Sequence, residues 1–111
     1  MPRYIAGPTA TSTLVAITTN YTANVNDLIL ADTTGGPITI TIPASTAAVV
    51  GTRIAIVDPK GTWGTYNCTV GTTTSITRIA GLNENLTMNI PYRSIELLYS
   101  GASYGWVLTR S

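Results

Sequence analysis

Histidine is absent from this 111-residue sequence, and cysteine and lysine occur once each, as Cys68 and Lys60. Without histidine, the usual general base at neutral pH and the commonest zinc ligand are both missing. A single cysteine excludes an internal disulfide and any cysteine cage for a metal. Charge is equally sparse. Only 10% of residues are charged, the formal net charge is +1, and 44% are hydrophobic, with mean hydropathy +0.25. Intrinsic disorder needs the opposite balance. Six cations scattered along the chain make no basic stripe, which argues against nucleic acid as a partner. No window reaches the 18 or so apolar residues of a membrane span. Nor does Met1–Ala10 contain an apolar run fit for a signal-peptide core. The expectation is a non-membrane chain made in a reducing cytoplasm.

What fills the sequence is threonine, 21 residues of it, beside isoleucine, glycine and valine, while the helix formers Lys, Glu and Gln number one, two and none. β-Branched side chains are stiff at χ1 and suit a pleated surface, so the expected class is all-β. Ile38-Thr-Ile-Thr-Ile42 alternates perfectly and is stopped by Pro43, the pattern of a half-buried antiparallel strand. Strands are also expected within 11–19, 28–30, 53–57, 67–70, 76–79, 86–90, 93–99 and 106–108. Turn signals such as Asp32-Thr-Thr-Gly-Gly-Pro37 and Asp58-Pro-Lys-Gly61 separate them. Residues 44–50 carry the one helical leaning, enough for a single turn. Eight or nine short strands spaced about 8–12 residues apart predict an antiparallel, jelly-roll-like β-sandwich. Residues 1–11 read as an extended N-terminal arm and 12–111 as one domain.

The order of Asp27–Gly36 (DLILADTTGG), Ile38–Ala44 (ITITIPA), Gly51–Asp58 (GTRIAIVD), Ser94–Gly101 (SIELLYSG) and Gly105–Leu108 (GWVL) resembles a recurrent β-sandwich module of tailed-bacteriophage virion proteins. The resemblance spans roughly Tyr21–Thr109. It implies a non-enzymatic virion protein, such as a capsid decoration (cement) protein or a domain of a tail or head fibre, in most cases trimeric. The module fills nearly the whole sequence behind a short arm. That favours a decoration protein binding the major capsid protein on the outer surface of the head, as a homotrimer. The alternative is a receptor-binding fibre tip that holds a host surface glycan.

Residue by residue, the chemistry is thin. The acids are Asp27, Asp32, Asp58, Glu84 and Glu96. Four lie in or beside turns, where Asp hydrogen-bonds its own backbone, and Glu96 is expected to point outward from a strand. No catalytic carboxylate pair is expected. Oxygen-rich Asn24–Asp27 and Asn83–Asn85 lack the spacing of a calcium loop, so no metal or cofactor is expected. Cys68 falls in a strand, where a free cysteine acts as a small apolar group. In the arm, Arg3, Tyr4 and Ile5 have the character of a docking segment for the capsid or a neighbouring protomer. Trp63 and Tyr66 sit in or just after a glycine-rich loop, and Tyr104 lies in a later turn. These aromatics are the candidates for contact with a partner or a sugar, although Trp63 could equally fold back as a lid. Trp106 is expected in the core.

Overall fold

The computed structural model describes residues 13–43, 50–72, 79, 85–101 and 104–110. They form nine strands and, among the described residues, no helix: β1 (Thr13–Ile17), β2 (Tyr21–Thr22), β3 (Asp27–Ala31), β4 (Ile38–Ile42), β5 (Arg53–Val57), β6 (Cys68–Thr72), β7 (Leu86–Met88), β8 (Ser94–Tyr99) and β9 (Trp106–Arg110). The all-β class is as the composition predicts. Strand β2 lies in a segment the sequence reads only as turn. The helical leaning at 44–50 falls outside the described residues except for Val50, and the strand expected at 76–79 falls outside them except for Ile79. Ile79 makes one parallel bridge to Trp106.

The antiparallel jelly-roll expectation requires correction. One sheet, here sheet A, has the order β1-β3-β5-β8-β9, and the other, sheet B, has β2-β4-β6-β7. Within them β1-β3-β5 and β2-β4-β6 run parallel. Only β6–β7, β5–β8 and β8–β9 are antiparallel. The chain lays one strand in sheet A, crosses to sheet B, then returns to sheet A in the original direction. Three such coils stack (β1 with β2, β3 with β4, β5 with β6), and β7–β9 close the stack with hairpin-type pairing. Within the coils, neighbours in a sheet are therefore two apart in strand order. Alternation in a single strand cannot reveal that.

The core lies between the sheets. Ile29, Ile38, Ile40, Ile42, Ile54, Ile56 and Leu97 are all essentially inaccessible, and each contributes about 1.5–3 kcal/mol by burial. Both tryptophans are also fully buried, and each satisfies its indole N–H on a backbone carbonyl. Trp63 donates to Ala31 O at 3.1 Å and Trp106 to Pro43 O at 2.9 Å. Tyr99 packs on Trp106 with ring centroids 5.3 Å apart.

Candidate functional site

The turns that hold the sheets in place consume the buried acids. Asp58, at the end of β5, is buried, and its carboxylate accepts four backbone N–H groups. Oδ1 takes Gly61 and Thr62 at 2.9 and 3.1 Å, while Oδ2 takes Trp63 and Tyr92 at 3.1 and 3.0 Å. Burial pushes this carboxyl's pKa upward, but the four N–H groups outweigh it and hold the pKa below the ordinary value. The loop after β5 is thereby clamped to the turn before β8. Asp27 does similar work elsewhere, accepting from Tyr21 Oη at 2.8 Å and from Asn24 N at 2.9 Å. Burial, reinforced by the bond to Asp27, raises the Tyr21 phenol's pKa. Burial, with the Asp58 charge adding to it, pushes the Cys68 thiol up to about 12, so it stays protonated at neutral pH. No group of three or more His, Cys, Asp or Glu able to hold a metal occurs among the described residues, and no described helix is long and apolar enough to cross a membrane.

The structure separates the aromatic candidates. Trp63 does not present its ring to a partner: it is fully buried, with its amide held by Asp58 and its indole by Ala31. It is a lid on the sandwich. Tyr66 and Tyr104 are 42% and 69% exposed, but they sit at opposite ends of the strands. Tyr66 follows the loop anchored at the Val57 end of β5. Tyr104 lies in the β8–β9 turn, whose first bonds join Gly51 and Thr52 to Tyr99 at the Arg53 end. Composition gives no hint of Tyr92, which is 75% exposed with φ +58°. Its ring lies where a side chain on Gly61 would be. The signal available was Pro91-Tyr92 between the strands expected at 86–90 and 93–99. Arg3, Tyr4 and Ile5 lie outside the described residues.

What the fold does assemble is a pair of unlike outer faces. On sheet B, the registers align Thr39, Thr69 and Thr87 in one row across β4, β6 and β7, and align Thr22, Thr41 and Gly71 in the next. Asn85 fills the missing place, its side chain lying over Gly71 so closely that an added Cβ would meet Oδ1 at 2.6 Å. Strands β2, β4, β6 and β7 contain no charged residue. The result is a flat field of hydroxyls, methyls and amides, with rows about 6.6 Å apart along the strands and columns about 4.8 Å apart across them.

On sheet A the outward positions form the rows Leu14-Leu28-Ala55-Glu96, Ala16-Leu30-Val57-Ser94 and Arg53-Leu98-Val107. Leu14 is 64% exposed, and the other aliphatics beyond Ala16 are half-buried by one another. Arg53 and Glu96 lie on this face as a pair at 3.1 Å, with side chains 58% and 22% exposed, and Arg110 of β9 stands opposite Glu96 in the register. Glu96 Oε1 also accepts from Thr109 Oγ1 at 2.6 Å. At the β9 end sheet A runs one strand beyond sheet B. Leu108, on the same side as buried Trp106, is thus left 38% exposed. It helps line an apolar groove of about 200 Å³ with Leu86, Met88, Ile90 and Ile95.

In comparisons with known proteins, no family model matches the chain, and no curated protein matches it either. The functional reading therefore rests on these faces and on the resemblance of the motif order.

Proposed function

We propose that this chain is a non-enzymatic structural protein of a phage virion, a capsid decoration (cement) protein that binds the head lattice through the threonine face of sheet B. The observation that carries the reading is the uncharged double row Thr22, Thr39, Thr41, Thr69 and Thr87. Such a surface offers hydrogen bonds and methyl contacts over a broad flat area, without electrostatic steering. Many modest contacts of this kind suit repeated attachment to a lattice, where several linked copies add avidity. The major capsid protein is the partner in this proposal, and the outer head surface the location. A homotrimer is the assembly that the resemblance implies. The exhausted acids and the protonated thiol leave the described residues with little chemistry to offer a substrate.

The alternative, a fibre tip reading a host glycan, draws on a different observation. Tyr92 and Tyr66 are exposed, and both belong to the loops at the Val57 end of the strands, where Asp58 binds one to the other; exposed tyrosines of this kind can stack on sugar rings. Tyr104, at the far end, cannot join them.

The deciding experiment measures binding of the purified chain to heads assembled from the major capsid protein alone. The expected result is saturable binding that Thr69→Lys and Thr39→Lys weaken at least tenfold while Tyr92→Ala leaves it unchanged. Equal binding by all three variants, or no binding at all, would reject the decoration reading. Glycan-array signal lost on Tyr92→Ala would establish the fibre reading in its place.

A further inference from the structure

We propose that the apolar outer face of sheet A is an interface between copies of this chain, two copies packing sheet A against sheet A about a twofold axis. Three observations point to a second copy as the occupant. First, β1, β3 and β5 are parallel strands that read as nearly continuous apolar runs, LVAI, LILA and IAIV. Parallel strands of that composition belong to sheets covered on both faces. Here the inner face has its core, while the outer face leaves Leu14 64% exposed and Leu28, Leu30, Ala55 and Val57 half-buried.

Second, the face is complementary to itself. A twofold contact presents the same patch to both partners, so a face with one sign of charge would repel its copy. This one carries Arg53 and Glu96 side by side. Turned onto a second copy, the Arg53 guanidinium of each chain meets the Glu96 carboxylate of the other, and aliphatics meet aliphatics around them. Third, interfaces between identical chains are more apolar than those between unlike partners. Of the two faces, A is the aliphatic one and B the hydroxyl one. The proposal thus rests on the reading above only in leaving sheet B free for another partner, and it sets a twofold pair in place of the homotrimer that the resemblance implies.

The size of the patch sets the expected strength. Four strand spacings of about 4.8 Å by five residues at about 3.3 Å give roughly 320 Å² of flat area, below the approximately 800 Å² per partner of a standard interface. Pairing should be reversible and depend on concentration.

Sedimentation of the full chain tests this directly. The expected result is a mass rising from one copy to two over roughly 1–500 µM. Leu30→Lys should hold it at one copy throughout, and Thr69→Lys should leave the rise intact. Reversal of single charges gives the sharper measurement. Arg53→Glu places two acids side by side and Glu96→Arg places two bases side by side, so each should stay monomeric alone. Mixed in equal amounts, the two should form one-to-one dimers. A wild-type chain that stays monomeric, a dimer or trimer indifferent to Leu30→Lys, or charge variants that do not associate on mixing would overturn the proposal. Circular dichroism of each variant confirms that it is folded. Loss of head binding by Thr69→Lys, without change in mass, reads the sheet B proposal separately.

Discussion

Truncation of Asp58 to alanine should unfold this protein more readily than loss of any single aliphatic group at its surface. The carboxylate accepts four backbone N–H bonds from two loops. Bonds to a charged group contribute about 1.5–3 kcal/mol each, so a simple sum gives roughly 6–12 kcal/mol. That exceeds what the mutation can cost, because the freed groups do not share one fate. Gly61 and Thr62 are half-buried and Tyr92 is exposed, so their amides rehydrate and lose about 0.5–1 kcal/mol each. The Trp63 amide belongs to a fully buried residue and is stranded, at about 1–2 kcal/mol. The expected loss for Asp58→Ala is about 3–4 kcal/mol, and the melting temperature should fall by roughly 12–16 °C. Asp58→Asn keeps the shape but turns an amide NH₂ toward two donors, for a loss of about 2 kcal/mol. The pH dependence is a second readout. The folded carboxyl titrates below its unfolded value of about 3.9. Its contribution is therefore complete above about pH 4 and is lost as the pH falls through the folded pKa. The gap between wild type and Asp58→Asn in urea unfolding should close under acid. A loss below about 1 kcal/mol at pH 7, or a gap that does not narrow as the pH falls below the unfolded value, would refute the clamp.

Three other expectations can be checked with the same material. Trp63→Ala should cost about 3–5 kcal/mol in a urea melt, from the cavity and the lost bond to Ala31. Tyr66→Ala, at an exposed ring, should stay within about 0.5 kcal/mol. Gly61 has φ +71°, and a Cβ there would overlap the Tyr92 ring, so Gly61→Ala should destabilise by about 1–3 kcal/mol. Adding Tyr92→Ala should recover the steric part alone. Cys68 should resist a thiol-specific disulfide reagent at pH 8 in the folded protein and react with one equivalent after unfolding, because the thiol is buried and its pKa is about 12.

The strands were legible where each carries its own signal. Ile38–Ile42, Arg53–Val57 and Ser94–Tyr99 alternate plainly, and the structure buries their expected faces. Pairing was not legible, since parallel and antiparallel neighbours impose the same period of two on a half-buried strand. One clue to parallel stacking existed in Leu28-Ile29-Leu30-Ala31, which is apolar at four successive positions. Tyr21–Thr22 escaped notice because two residues are too few to show a period. Trp63 was left open between lid and contact, as glycines around it mark a loop but say nothing of which way the ring turns. The Asp58 clamp closes over 34 residues to Tyr92, a distance at which local turn chemistry gives no warning.

The two faces follow from the coil topology rather than from any single motif. In a parallel stack each strand lies over its predecessor in the same direction, so a residue type repeated at alternate positions builds a row. All four strands of sheet B place threonine outward, in Tyr21-Thr22, Ile38–Ile42, Cys68–Thr72 and Leu86–Met88. The first three strands of sheet A place aliphatic carbon outward instead. Structure alone does not demand this difference, because either face would be satisfied by ordinary polar residues and protected by a few lysines. A chain with one lysine, a mainly aliphatic outer face on one sheet and a mainly hydroxyl one on the other has left both faces open to contact. The aliphatic face favours a contact that excludes water, the hydroxyl face a wetter one. Two unlike faces back to back, on a slab with its shortest extent 19 Å, give the two proposed contacts separate surfaces, so that a substitution on one face should leave the other contact intact.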